Sequence, residues 1–475
     1  MENTSNQDFL LEYTTWFSDR SLFKKDKRIR DIESVVKRHY SPSVVSAKQL
    51  ENYLRDPSKN ADKLQDVSQK MVNLNGILKE FINYKALILT QDHYIYPSDA
   101  RKYKNKESIW KDEIKVASLL EKYNIKNLNR WVTKRLLQNG EVYIYKREGN
   151  DGILIQELPN KICKVSAVDE YGIKRYKIDV TKISDADIGF YPEEIQKAKN
   201  KKKSKDFDGK WYSVGDNGTA FILNQWETKG VPYYTNLFAS LMNLDDAEKI
   251  EKDNNYVDNY KLLHQRIPTD NDGKMLMPAD ISKMYHQGVK AIAPEGVGVA
   301  TTPMDIKPIT LGDGKMKNQE YLQKLKTKIY DNAGISDDLF NGNSRTNEAT
   351  ILSAIIDSLV PIEIQGYLQD FFNYELNKSA KKGKWKVQFV HTTFYNRQKE
   401  IQLERENLAI YGSKKKYLAT QGFTPIQVAN LLYVEDLMDM EEFMKPMQTS
   451  HTISTKGRPS NSDNPDSGEI SAEGD

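Results

Sequence analysis

The chain has 475 residues, more than one hydrophobic core of roughly 250–300 residues can serve, so two or more domains are expected. A composition 38% hydrophobic and 29% charged is polar for a globular protein, which suits a subunit that completes its apolar burial against neighbours. A formal net charge of +3 excludes tight, genome-scale wrapping of duplex DNA, which needs a surplus of Lys and Arg, and leaves local contact inside a groove or channel.

Residues 1–61 form an N-terminal extension expected to be partly irregular. Its first 19 residues carry acids where a secretion signal needs basic and then apolar residues, and no stretch of the chain reaches the apolar length that spans a bilayer. A protein neither secreted nor embedded in a membrane is expected. Over 62–89, Leu64, Val67, Met71, Leu74, Leu78, Phe81 and Ile82 recur mostly at three- and four-residue steps, which predicts one buried amphipathic helix. A further helical stretch ends near Asn139, with Gly140 as a left-handed cap. The period then changes to two, and 141–146, 153–158, 161–168 and 175–180 read as strands with turns at 149–152 and 170–172, a small antiparallel sheet on helices. The single cysteine, Cys163, excludes an intramolecular disulfide and a cysteine zinc cage and reads as a small buried hydrophobe in a strand. Between 199 and 210 six lysines meet two aspartates in a solvated loop before a strand at 219–226.

A cap at Thr235 opens a long helical face of Leu237, Leu241, Leu244, Ala247, Ile250, Asn254 and Val257 that runs to about Leu263. From 265 to 311 the pattern is short and mixed: a strand-like 275–277, a helix over 278–287 closed by Gly288, and strands at 289–293, 297–301 and 306–311. This predicts a compact α/β insert. Helix returns over 315–333, with Leu322, Leu325 and Ile329 on one face and Gly334 as the stop. A polar loop rich in Gly and Asn follows to 347, where Thr346 or Asn347 caps a third helix reaching about 378. Pro361 inside that helix removes the backbone bond to Asp357, so a kink is expected there. A strand at 385–390 precedes helices at 397–411, 414–420 and, after the Thr424 cap and Pro425, 426–444. Residues 448–475 lack apolar periodicity and are expected to be a disordered acidic tail.

Catalytic patterns are poorly served. No Gly-x-Ser-x-Gly elbow occurs, and the histidines, His39, His93, His264, His286, His391 and His451, form no helix-spaced metal pair. Gly314-Lys315-Met316 lacks the first glycine and the hydroxyl of a phosphate loop, and Gly296-x-Gly298 lacks the third glycine of a dinucleotide site. Around Asp270-Asn271-Asp272-Gly273, Pro268 and Ala279 stand where a calcium loop needs carboxylates. One enzymatic alternative is a metal-dependent nuclease using Asp280 and Asp305-Ile306-Lys307, whose carboxylates would have to converge at one strand edge. The expectation is no catalytic residue, no metal ligand set and no cofactor.

Long helix, compact insert, helix, polar loop and kinked helix is the order found in portal proteins of tailed bacteriophages, which this sequence resembles. The run from Ser240 to Tyr260, SLMNLDDAEKIEKDNNYVDNY, looks like that family's first stem helix, and Gly334-Ile-Ser-Asp-Asp-Leu-Phe340 leading into Gly342-Asn-Ser-Arg-Thr-Asn-Glu-Ala349 looks like its tunnel-loop entry. The resemblance covers about 62–444 and implies an α+β, portal-like fold. Its parts would be a wing over 62–234, a first stem helix at 235–264, a clip at 265–311, a second stem helix at 312–334 and a tunnel loop at 335–347. The kinked wing helix and closing strand would occupy 348–393 and a helical crown 394–447. The resemblance further implies a non-catalytic ring of identical subunits, commonly twelve, at one vertex of the virion capsid, assembled in the host cytoplasm. Double-stranded DNA would pass through it without sequence preference. Its partners would be the terminase large subunit, a head-tail adaptor, and the major capsid and scaffolding proteins, with no membrane. Asn341, Asn343, Ser344 and Arg345 of the loop are the expected DNA-channel residues, with Lys315, Lys317, Lys324 and Lys328 of the second stem helix as further candidates. The other minor head proteins of a virion are the remaining alternative.

Overall fold

The structure, a computed structural model, describes residues 45–149, 152–200, 207–224, 226–259, 261–268, 270, 276–292, 297–302, 314–336, 347–379 and 384–438. Within them the chain is α+β. Helix α1 (Ala47–Leu54) opens on a reciprocal cap in which the Ser46 hydroxyl accepts from Gln49 N and the Gln49 side chain accepts from Ser46 N. The periodic stretch expected as one helix over 62–89 is two helices, α2 (Ala61–Leu74) and α3 (Gly76–Leu87). Asn75 divides them: its backbone is extended, and its side-chain oxygen accepts from Leu78 N at 3.1 Å, capping α3. The apolar steps run through this break in the sequence, but Leu74 beside it is 72% exposed, while Met71 and Leu78 on either side are buried.

Helices α4 (Lys106–Tyr123) and α5 (Ile125–Asn139) meet at Asn124, left-handed at φ 48°. Gly140 ends α5 at φ 78°, and a Cβ placed on Gly230 would lie 2.3 Å from the Gly140 carbonyl oxygen. Strand β1 (His93–Pro97) falls where no strand was expected, whereas β2 (Glu141–Glu148), β3 (Ile153–Leu158), β4 (Cys163–Val168) and β5 (Lys174–Asp179) follow the expected segments closely. After a short helix α6 (Glu193–Lys199) come β6 (Trp211–Ser213) and β7 (Gly218–Ile222). The strand expected over 219–226 stops at Ile222, since Glu227 N bonds Asn224 O in a turn. The antiparallel sheet has the order β3-β2-β7-β5-β4, with β6 alongside β5, and Tyr145 stands opposite Gln156 across the β2–β3 hairpin. One face of it packs a core that includes Phe81, Trp131, Leu136, Phe221, Phe238 and Phe371. The other face covers a second core around Tyr143, Tyr176, Tyr191 and the buried free Cys163.

Further on, β10 (Trp385–Phe389) pairs antiparallel with β1, His93 facing Phe389, so two segments far apart in sequence are joined. Helix α12 (Arg397–Leu408) then packs on α13 (Lys414–Thr420), which lies against β1, and α14 (Pro425–Leu437) lies against β1 and α4. Lys415 reaches Glu113 at 2.6 Å, and buried Asp92 receives Lys126 at 2.6 Å and Arg397 at 3.4 Å. Residues 1–44 and the expected tail at 448–475 lie outside the described residues.

This ladder holds a pH-sensitive group. His93 is buried beside the Phe389 ring, its Nδ1 is 3.2 Å from the Gln91 carbonyl oxygen, and burial pushes its pKa down to about 4 from 6.5. The unfolded chain therefore takes up this proton first: His93 costs no stability above about pH 7 and costs about 2–3 kcal/mol by pH 4.5, as the pH falls from 6.5 toward 4. Urea unfolding of the protein and of His93→Gln at both pH values should show the variant losing that part of the acid sensitivity. Equal pH slopes would remove His93 as its source.

Candidate functional site

Two long helices and the chain between them form the most extended feature of the fold. A short turn, Thr235–Leu237, leads into α7 (Phe238–Asn259). Thr235 is not the expected cap, for its hydroxyl donates backward to Pro232 O. The helix expected to reach 263–264 ends at Asn259, and β8 (Lys261–Arg266) follows it. The apolar pair Leu262 and Leu263 fits a helix or a short strand equally by periodicity, and the parallel partner β9 (Val297–Thr302) decides for the strand. Between them α8 (Ala279–Ile292) runs through Gly288, so the described part of the strand expected at 289–293, residues 289–292, is helix. Gly288 is not left-handed, and without that conformation a glycine weakens a helix by about 1 kcal/mol but does not end it. The insert is thus a βαβ unit. The strand expected at 306–311 lies outside the described residues.

The returning helix α9 (Gly314–Ala333) packs on α7 and on the body, burying Leu322, Ile329 and Ala333 and setting the Phe81 and Tyr330 rings 4.9 Å apart edge to face. Lys326 pairs with Glu248 of α7 at 3.0 Å. Lys324 and Lys328 are exposed, and with Tyr321 they occupy one face at i, i+3 and i+7, to which Lys317 adds the preceding position. Lys315 lies in the first turn of α9, off that row. Gly334, at φ 60°, ends the helix.

Asn341, Asn343, Ser344 and Arg345 lie outside the described residues, but the base from which their segment departs does not. Past that segment come α10 (Asn347–Asp357) and α11 (Leu359–Ser379), set 49° apart. The break falls at Ser358, three residues before Pro361. Proline has no N–H, so the Asp357 carbonyl lacks its helical partner, and the Lys85 ammonium of α3 takes it at 3.1 Å. The same ammonium bonds the Gly334 carbonyl at 3.1 Å. The Asp357 carboxylate accepts from the Tyr84 hydroxyl at 2.9 Å and from Ser336 N at 3.4 Å. Burial lowers the pKa of Lys85, which is 3% exposed, and raises that of Asp357. The excursion from 337 to 356 therefore leaves and rejoins the body at one hydrogen-bonded base.

Sequence reasoning missed this base. Its signal was a lysine inside the apolar run Phe81-Ile-Asn-Tyr-Lys-Ala-Leu-Ile-Leu89, where a cation needs a partner that only the tertiary fold supplies. Above the base, α10 buries Ala354 but leaves Leu352 and Ile356 59% and 58% exposed at i and i+4, and Leu359, across the bend at the start of α11, is 61% exposed. Among the described residues no group of three or more His, Cys, Asp or Glu is placed to hold a metal ion. Asp280 is exposed in the first turn of α8, and Asp305, Ile306 and Lys307 lie outside the described residues. No single described helix is long and apolar enough to cross a membrane; α10 and α11 reach that length only together across their bend, and α11 buries Ile364, Leu368 and Phe372 in the core. No protein-family model matches the sequence, and no curated protein matches it.

Proposed function

We propose that this chain is the subunit of a bacteriophage portal, a ring at one capsid vertex through which double-stranded DNA is packaged and ejected. The observation that carries the reading is the order of parts: α7 leaves the body, a βαβ insert follows, α9 packs back along α7, and the 337–356 excursion departs from a fixed base before bent α11 re-enters the core. In this reading α7 and α9 are the stem, β8–α8–β9 the clip, 337–346 the tunnel loop, and the remainder wing and crown. Nothing in such a role needs a reacting group. DNA that slides must be confined without being held, and affinity for phosphate rises with each cation that pairs with it. The row of Lys324 and Lys328 on α9 and the single Arg345 of the loop meet that demand with few charges. The insert, presented where α7 ends and α9 begins, is the docking platform for the terminase large subunit and later the head-tail adaptor. Capsid and scaffolding proteins contact the wing.

Negative-stain microscopy of the purified chain is the direct test: closed rings with a central channel, of about twelve subunits, are expected. A monomer that cleaves DNA with a divalent metal would replace this reading by the nuclease. Arg345→Ala should leave rings intact and reduce packaged DNA severalfold in a packaging assay, since weak, sequence-blind phosphate contacts act through few side chains. Unchanged packaging would take Arg345 out of the channel.

A further inference from the structure

A groove of about 530 Å³ opens where α1, the start of α7 and the end of α9 come together. Leu54, Pro57 and Tyr233 give it apolar walls, and the exposed amides of Asn236 and Asn332 stand at its rim. Tyr234 also lines it. That side chain is 2% exposed, yet its hydroxyl has no hydrogen-bond partner among the described residues, and a buried hydroxyl without one costs about 1–3 kcal/mol. Apolar walls with amide groups at the rim describe a site for a peptide carrying an aromatic side chain with a polar tip.

We propose that residues 9–23 of the chain's own N-terminal extension dock in this groove. Phe9, Tyr13, Trp16 and Phe17 recur there at three- and four-residue steps, the spacing with which an amphipathic segment anchors in an apolar groove. Trp16 carries an indole N–H that needs an acceptor once buried, and the amide oxygens of Asn236 and Asn332 at the rim can accept. Reach is ample. The described chain begins at Val45, next to α1, whose far end at Leu54 is part of the groove wall; eight helical residues span only about 12 Å. The 24–44 connection extends to roughly 70 Å at most, so the groove of the same subunit or of a neighbour lies within range. The extension becomes a strap that covers the junction of α1, α7 and α9. This inference does not depend on the ring, because a strap within one subunit fills the groove equally.

Cysteine cross-linking in the full chain tests it, since the only native thiol, Cys163, is buried and its pKa is raised by burial. Ser18→Cys with Asn236→Cys, treated with a short bis-maleimide, should cross-link at least fivefold more than Ser18→Cys with Lys324→Cys. Adding Asn332→Arg at the rim should return the yield to the control value. A band at monomer mass identifies a strap within the subunit and a band at dimer mass a strap to a neighbour; both support the docking. Equal yields for the two cysteine pairs, or a yield untouched by Asn332→Arg, would overturn it.

Discussion

Lys85→Met is expected to destabilise the protein by about 3 kcal/mol and to loosen the segment 334–358 selectively. Methionine keeps the volume and apolar stem of the lysine, so packing within α3 changes little. What is lost is the donor to two carbonyl oxygens, of Gly334 and Asp357, each about 1–3 kcal/mol when left unmet. The removed desolvation of a buried ammonium offsets part of this, as the lowered pKa of Lys85 indicates. Neither carbonyl has another obvious partner. Gly334 ends its helix, and Pro361 denies Asp357 the helical N–H. Hydrogen exchange resolves the claim better than a melting curve. Amides of α10 and the end of α9 should exchange faster, while those of β2 and β7, remote from Lys85, stay protected. Uniform acceleration, or none, would mean that Lys85 is an ordinary core residue. In the portal reading the same variant should still form rings but package less DNA, because the loop bearing Arg345 departs from this base.

The strands of the main sheet and the closing helices were legible because their signals are local. Alternation over 153–158 and the Thr424-Pro425 start need only the chain itself, and the structure places a strand at Ile153–Leu158 and a helix at Pro425–Leu437. Misreadings arose where local signals tie. At Asn75 a side chain competes with the helix for one N–H, and the apolar stripe passes over the interruption. Leu262 and Leu263 suit either state until β9 lies beside them. Gly288 looked like a stop, but ending a helix takes a left-handed residue, as at Gly334 and Gly140. The bend at Pro361 was readable from proline chemistry alone. Its consequence, a carbonyl delivered to a lysine far away in sequence, was not, because sequence reports a missing donor and never its replacement.

In the proposed ring, Leu352→Asp with Ile356→Asp is expected to abolish assembly while leaving the subunit folded. Both side chains are more than half exposed in the single chain, so folding gains little from them and each aspartate remains solvated in the monomer. In the proposed ring, Leu352 and Ile356 form the exposed pair on α10 that a neighbouring copy would cover. Burying an aliphatic side chain of this size contributes about 1.5–3 kcal/mol. Replacing two of them by carboxylates removes that gain and adds a desolvation cost at every contact around the ring. Even about 3 kcal/mol per contact weakens each association roughly a hundredfold, and a closed ring compounds the loss. On the portal reading, sedimentation velocity should show rings for the parent and monomers for the double variant, with a near-unchanged thermal midpoint. Rings of normal size from the double variant would place the intersubunit contact elsewhere, with the exposed faces of α8 and α14 next in line. The two substitutions also separate α10 from the base below it: Lys85→Met acts on stability within one subunit, whereas this pair acts only between subunits, so a drop in melting temperature without loss of rings would assign α10 to the fold of the monomer.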